Sequence, residues 1–164
     1  MTVRVHVAIG TNIARRKNVT SALDSLTECF GSLVISKVYE TRAIGSSGRN
    51  FYNLVVGFDC RDSAPRINAT LKAIEAQHGR SPENAATHSG ILDLDLLTYD
   101  SQIIETNELS LPRSEIGRAA YVLRPLVDVT PDSLDPISNM TYAALWDAFA
   151  DKSAILKDVS YLFE

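Results

Sequence analysis

A stretch of alternating residues at positions 90–99, with the sequence GILDLDLLTY, decides the fold. Side chains of a β-strand point alternately to the two faces of its sheet, so this pattern predicts a strand. One face then carries Leu92, Leu94 and Leu96, which we expect to lie in the core. The opposite face carries Ile91, Asp93, Asp95, Leu97 and Tyr99.

The second face of this strand is unusual because it places two carboxylates among apolar neighbours. Residues two apart on a strand lie roughly 6.5–7 Å from each other. Two half-buried anions at that spacing repel, and a divalent cation would relieve the repulsion. Mg²⁺ commonly binds one or two protein carboxylates together with substrate phosphates. The pattern therefore indicates the floor of a magnesium–phosphate site at Asp93 and Asp95. A solvated outer face of an edge strand remains the alternative.

Composition limits the class of protein. The chain has 164 residues, of which 45% are hydrophobic and 22% charged, so we expect one globular domain spanning residues 1–164. The formal net charge of -4 gives no support for nucleic-acid binding through a basic surface. No apolar run approaches the roughly 18 residues of a membrane span, and the first residues lack a signal-peptide pattern. Cys29 and Cys60 have no metal-type spacing, and we expect reduced thiols and a cytoplasmic location.

The order of predicted elements is strand, helix, strand, strand, helix, strand, followed by C-terminal additions. This order is typical of an α+β, ferredoxin-like split βαβ sandwich, in which we expect helices on one sheet face and ligands on the other. The predicted strands are residues 3–9, 33–39, 51–59 and 90–99, and the predicted helices end at Gly31 and Gly79. Further along, we expect a helix from Ser114 to Ala120, a turn at Pro125, a helix around residues 142–149 and a strand over residues 155–163.

Six motifs in order resemble the 6-hydroxymethyl-7,8-dihydropterin pyrophosphokinase (HPPK) family. Residues 8–12, 51–53, 92–97 and 121–126 are similar to the family's A-I-G-S-N, F/Y-x-N, L-D-[LI]-D-[LI]-L and F-V-L-x-P-L motifs. Residues 38–41 with Gly45 are similar to its second strand and first catalytic loop, and residues 74–80 to the end of its second helix. The likeness extends over residues 3–136, most of the chain. Together, the motifs favour the magnesium interpretation of the aspartates over the solvated edge strand.

The resemblance implies a reaction and a pterin site. The family transfers pyrophosphate from ATP to the hydroxymethyl oxygen of a reduced pterin and releases AMP. By this resemblance, Asp93 and Asp95 are catalytic and hold two Mg²⁺ ions that bridge the ATP phosphates. The substrate-binding residues implied for the pterin are Thr41, Ala43, Ile44, Phe51, Asn53 and Tyr121. From the residues alone, the two aromatics could instead be core side chains, and Asn53 could bond a neighbouring loop.

The resemblance also implies a nucleotide side. Arg80 matches a catalytic position, and the residues that match nucleotide contacts are Glu75, Leu96, Ser110, Leu111, Arg113 and Arg118. Leu96, Ser110 and Leu111 fall where the family holds adenine, largely by apolar and backbone contact. An ordinary exposed helix acid is the alternative for Glu75.

The sequence departs from the family in its cations. The family's R-T-L-D is here Gly90-Ile91-Leu92-Asp93, its closing tryptophan falls near Thr87, and only Arg80 and His88 remain as possible cations in the loop over residues 80–89. The family's histidine after proline is Arg113, and its arginine before the aromatic is Ala119, next to Arg118. Since phosphoryl transfer depends on electrostatic stabilisation, each lost cation could cost about 3 kcal/mol. We expect Arg113, Arg118 or His88 to compensate.

Three functions therefore compete. The first is an active ATP- and Mg²⁺-dependent pterin pyrophosphokinase, a cytoplasmic monomer whose partners are small molecules rather than nucleic acid or membrane. The second is a pterin- or nucleotide-binding protein that has lost catalysis, motivated by the arginine-poor loop. The third is a small protein-interaction module that uses the sheet face or the helix containing Trp146.

Overall fold

The computed structural model describes residues 1–43, 48–79 and 92–164. Its elements, in chain order, are β1 (Val3–Thr11), α1 (Arg15–Phe30), β2 (Val34–Ile35), β3 (Tyr39–Thr41), β4 (Phe51–Cys60), α2 (Ala64–Gln77), β5 (Asp93–Tyr99), β6 (Ile104–Glu105), β7 (Ser110–Leu111), α3 (Ala120–Val129), α4 (Tyr142–Asp147) and β8 (Ile155–Asp158). Short 3₁₀ helices lie at Ser114–Gly117 and Ser160–Phe163. In this part of the chain no helix is both long and apolar enough to span a bilayer.

The main sheet is antiparallel, with the strand order β5-β1-β4-β3-β8 and β2 paired to β4. The first strand of the chain is therefore central, and the later strands flank it. This arrangement confirms the predicted α+β, split βαβ architecture. The short strands β6 and β7 pair separately beside β5.

The helices cover both faces of the sheet. A larger core contains Leu26 of α1, Leu71 of α2 and the leucines of β5 that were predicted to be buried. A second core packs Leu123 and Leu126 of α3 against the opposite sheet face. The expectation that helices cover only one face is therefore wrong. The buried side chains of α3 form an apolar stripe, which packs against the second face of the sheet.

The predicted strand over residues 33–39 is broken into β2 and β3. At the break, the Ser36 hydroxyl accepts a hydrogen bond from Val55 N at 2.8 Å, while Ser36 N donates to Val55 O at 2.9 Å. The Ser36 hydroxyl oxygen thus takes the place of a backbone carbonyl in the hydrogen-bond pattern between the strands. The chain bends there before it pairs again with β4 at Tyr39.

The C-terminal expectations need correction at three points. Ser114 begins a 3₁₀ helix rather than an α-helix, and α3 starts only at Ala120. Pro125 lies inside α3 and not in a turn. Pro125 is buried in this helix. The final segment, predicted as a strand to Phe163, leaves strand geometry after Asp158.

A register shift in β5 reverses the predicted position of its last residue. Val7 pairs with Leu96 but His6 pairs with Thr98, so Leu97 is an extra residue in the ladder. Such a bulge interrupts the alternation of side chains. Tyr99 consequently packs against the larger core, where its hydroxyl donates to Asp62 O at 2.8 Å, instead of sharing a face with the aspartates.

Candidate active site

The candidate site is a depression across three strands of the sheet. Asp93 of β5 pairs with Gly10 of β1, which pairs on its other side with Asn53 of β4. In the next row, Asp95 lies opposite Ala8. The central strand thus carries the smallest side chains, with carboxylates on one side and an amide on the other. Since neighbouring strands are about 4.8 Å apart, the floor is roughly 10 Å wide.

A cavity of about 500 Å³ opens over this floor. That volume lies within the roughly 300–1,000 Å³ typical of small-molecule sites. Its wall opposite the sheet comes from α3 and from the segment that follows β7. The described residues that line it are Ala8, Ile9, Gly10, Thr41, Arg42, Ala43, Phe51, Asn53, Asp93, Asp95, Leu97, Arg113, Glu115, Tyr121 and Val122.

One end of the cavity presents an oriented amide and an aromatic ring. Asn53 Nδ2 donates to Thr41 Oγ1 at 2.6 Å, and Thr41 is almost fully buried. The Asn53 carbonyl oxygen points toward Gly10, where an added Cβ would lie only 2.7 Å from it. Because Gly10 has no side chain, the Asn53 amide can occupy this space. Phe51 lies next to Asn53 on the same strand face and also lines the cavity.

The other end of the cavity is acidic, and the Arg113 side chain lies beside its carboxylates. Asp93 and Asp95 both project into it from β5, and the Asp95 side chain is 35% exposed. The Arg113 guanidinium approaches Asp95, with 3.7 Å between Nη2 and Oδ1. Although burial opposes its charge, the carboxylates of Asp95 and Glu115 raise the pKa of Arg113 above its ordinary value. This arginine therefore remains cationic in the cavity.

Glu115 faces Arg113 from the 3₁₀ helix. Arg113 Nε donates to Glu115 Oε2, and Ser114 Oγ and Arg118 Nη2 donate to Oε1 at 3.0 and 3.1 Å. Burial works in the opposite direction, but the hydrogen bond and charge of Arg113 lower the pKa of Glu115 below its ordinary value. Burial and the nearby charge of Glu115 also raise the pKa of the Tyr121 phenol, which stays neutral at pH 7.

The structure brings eight of the predicted site residues to one cavity. These are Thr41, Ala43, Phe51, Asn53, Asp93, Asp95, Arg113 and Tyr121. Two others, Arg80 and Ile44, lie outside the described residues. Thr87, near the family's tryptophan position, and His88, a possible cation of the loop, also lie outside the described residues.

The remaining predicted residues, on the nucleotide side, do not line the cavity. Glu75 is not the exposed helix acid of the alternative interpretation: it is 4% exposed, and its Oε2 accepts from Leu94 N at 2.7 Å. The side chains of Leu96 and Leu111 are buried in the larger core, so only their backbone groups could meet a ligand. Ser110 is exposed on β7, and Arg118 is 71% exposed beside Glu115.

Sequence reasoning missed two charged residues that line the cavity. Arg42 lies between two residues that were singled out, Thr41 and Ala43. Glu115 follows Arg113 by two positions, and the opposite charges of the two residues were the available signal that they pair. The position of Glu115 in a 3₁₀ helix and the approach of Arg113 to the distant Asp95 have no signal in the sequence.

The donor set fits a hard divalent cation. Two carboxylates project from one strand into an open cavity, an arrangement that suits Mg²⁺ completed by phosphate and water oxygens. Among residues 1–43, 48–79 and 92–164, no group of three or more His, Cys, Asp or Glu side chains forms a closed cage. Asp93 and Asp95 are the residues that would hold the cation.

The sequence itself matches a known protein family. The family model described as 7,8-dihydro-6-hydroxymethylpterin-pyrophosphokinase (HPPK) matches residues 6–131. The chain belongs to the HPPK family. The match spans every described residue that lines the cavity.

Members of the HPPK family in several organisms are similar in sequence. The 2-amino-4-hydroxy-6-hydroxymethyldihydropteridine pyrophosphokinase of Pseudomonas aeruginosa is 30% identical over 133 residues, which cover 79% of this chain and 82% of that protein. The enzyme of the same name from Aquifex aeolicus is 27% identical over 135 residues, covering 81% and 84%.

A solved HPPK-containing structure shares the fold. The crystal structure of Plasmodium falciparum HPPK-DHPS wild type with pteroate superposes with a TM-score of 0.75 at 15% identity. The superposition covers 90% of this chain and 42% of that longer chain. At this identity the likeness supports the α+β architecture of the HPPK domain.

Proposed function

We propose that this chain transfers pyrophosphate from ATP to the hydroxymethyl oxygen of 6-hydroxymethyl-7,8-dihydropterin and releases AMP. The single observation that carries the proposal is the row Asp93–Gly10–Asn53, which puts a carboxylate and an amide on opposite sides of one cavity floor. An anionic phosphate–metal group and a flat amide-edged ring could thus meet over Gly10. Membership in the HPPK family supports the same reaction.

The pterin would occupy the end lined by Phe51, Asn53 and Tyr121. Stacking of a flat bicycle on each aromatic face contributes about 1–3 kcal/mol, by analogy with nucleobases. Asn53 offers a donor and an acceptor for the amide-like edge, and its bond to Thr41 fixes which atom faces the ring. Ala43 and Ile44 would contribute backbone groups at the rim. The neutral Tyr121 phenol adds no charge against the ring.

The triphosphate would lie at the acidic end. Asp93 and Asp95 would hold Mg²⁺, which when bound neutralises charge on the phosphate oxygens. Arg113 would bind the phosphates beside them, with Arg118 and Arg80 as further cations. The hydroxymethyl oxygen bonds to the β-phosphorus and gives up its proton to solvent. The bond from that phosphorus to the α,β-bridging oxygen breaks, and AMP leaves with that oxygen.

The adenine would lie beside β5, near the backbone of Leu96 and beside Ser110 and Leu111 of β7. β7 lies next to β5, so these residues are close to one another. Glu75 would act there indirectly, through its bond to the backbone of β5. We propose a cytoplasmic monomer that acts on small molecules and not on nucleic acid.

An AMP-release assay with ATP, Mg²⁺ and the pterin tests the function. We expect release only when all three are present, and a loss of at least about 100-fold in Asp95→Asn. The exposed Asp132→Asn makes the same charge change outside the cavity and should retain activity. Wild-type rates in Asp95→Asn would contradict the metal role.

A second function, pterin or nucleotide binding without turnover, is favoured by one sequence observation. Gly90 stands where the family has the arginine of R-T-L-D. Calorimetric binding of the pterin with no AMP release under any nucleotide concentration would establish this alternative. We favour turnover because Arg113 supplies a cation 3.7 Å from the Asp95 carboxylate.

A further inference from the structure

Arg113 is fixed to the edge strand that carries the aspartates. Its backbone N donates to Leu97 O at 2.9 Å, and Asp95 lies two residues before that carbonyl. Its guanidinium approaches the Asp95 carboxylate. A long arginine side chain has many rotamers, so the tether at its backbone does not by itself fix the charged end.

The charged end is fixed by Glu115. One carboxylate oxygen of Glu115 accepts from Arg113 Nε, and the other is occupied by Ser114 and Arg118. The Glu115 side chain is 22% exposed and that of Arg118 is 71% exposed, so the bond toward the cavity is the better shielded of the two. With Nε engaged, the Nη groups of Arg113 turn toward Asp95 and the cavity.

We propose that Glu115 is a positioning residue, which holds the Arg113 guanidinium so that it faces the triphosphate beside Asp95. This inference rests on the proposed function, because it assigns Arg113 to the phosphates. Charge-assisted hydrogen bonds of this kind are short and directional. Glu115 therefore acts on the triphosphate through Arg113.

The opposite effect would follow if Glu115 were only another anion in the cavity wall. Its charge would then repel the triphosphate, and removing the charge would strengthen nucleotide binding. Positioning predicts weaker binding on removal, and only while Arg113 is present. The two possibilities thus differ in sign.

The experiment is a double-mutant cycle read by calorimetry with Mg²⁺ and α,β-methylene ATP, in which a carbon replaces the oxygen at the bond that breaks. We expect Glu115→Gln to weaken binding about tenfold and Arg113→Ala to weaken it at least as much. In the Arg113→Ala background, Glu115→Gln should leave binding unchanged or strengthen it. Glu115→Asp, which keeps the charge, should recover part of the loss.

Two controls separate positioning from folding. Thermal unfolding of each variant shows whether the chain is intact, and Glu28→Gln makes the same charge change on the exposed surface of α1. Unchanged or tighter binding by Glu115→Gln, or an equal loss in the Arg113→Ala background, would overturn the positioning role alone. No binding by the wild-type protein would overturn the proposed function together with it.

Discussion

At the scale of single residues, the site depends on the small side chains of the central strand as much as on the charged groups around it. Ala8 and Gly10 leave the floor of the cavity open, while Asp93 and Asn53 rise on either side. A strand residue on a buried face is normally bulky and β-branched. The small side chains here leave open space between the carboxylates at one end of the cavity and the Asn53 amide at the other.

Gly10→Ala tests this use of space. The new Cβ would lie 2.7 Å from Asn53 Oδ1, closer than van der Waals contact allows, so the amide must move away from Thr41. We expect pterin affinity to fall about tenfold, as for the loss of one or two oriented hydrogen bonds. Fluorescence titration with the pterin measures it.

Gly117→Ala is the matched control, because its added Cβ would meet no heavy atom within 4 Å. Pterin affinity of this variant should equal that of the wild-type protein. Wild-type affinity in Gly10→Ala as well would show that Asn53 can move without consequence, and that the small residue is not needed for binding.

At the scale of elements, β5 is the part that the site depends on, and it is an edge strand. Edge strands expose unpaired backbone groups on one side. Here Glu75 of α2 accepts from Leu94 N, and β7 leads into Arg113, whose N donates to Leu97 O. On the opposite sheet face, α3 is joined to β3, since the Tyr39 hydroxyl donates to Asp128 at 2.7 Å. The aspartates therefore lie on a strand whose outer edge is hydrogen-bonded by α2 and by the segment that follows β7.

Glu75→Ala should loosen that strand. The change leaves the buried Leu94 N without its acceptor, and an unsatisfied buried donor costs about 1–3 kcal/mol. We expect the free energy of unfolding to fall by that amount in urea denaturation. Turnover should fall further than stability explains, because Asp93 and Asp95 flank Leu94.

Lys72→Ala provides the comparison, since Lys72 pairs with the same carboxylate at 3.3 Å but is 52% exposed. We expect it to cost less than about 1 kcal/mol. If both variants lost equal stability, the ion pair rather than the bond to the strand would be the important contact.

Much of this element arrangement followed from local pattern. The alternation of leucine and aspartate in β5 predicted a strand with two different faces, and Gly79 predicted the end of α2. α3 was missed because Pro125 ordinarily marks a helix end. The position of Tyr99 was missed because a bulge depends on the partner strand and has no signal in alternation.

At the scale of the whole molecule, stability should depend on pH through His6 in the central strand. His6 is buried, and its Nδ1 lies 2.8 Å from Thr98 Oγ1. Burial, aided by the charge of Arg4, lowers its pKa from 6.5 to about 4. Between these values the unfolded chain binds a proton that the folded chain does not, so stability falls as pH falls.

The expected loss between pH 6.5 and pH 4 is up to about 3 kcal/mol. His6→Gln keeps a polar group near Thr98 but cannot be protonated, so the stability curve should become flatter in this window. Urea denaturation at several pH values measures the slope. A variant with the wild-type slope would exclude His6 as its source.

The sequence by itself determined the split βαβ order, the buried leucine face of β5 and the pairing of two carboxylates on the other face. These features arise from periodicities of two and about four residues, which the chain expresses locally. Only the tertiary structure decided that α3 covers part of the second face and that Arg113, held by Glu115, meets Asp95. Those contacts join residues that are distant in the chain. They depend on strand register and on the packing of one element against another, which no local pattern encodes.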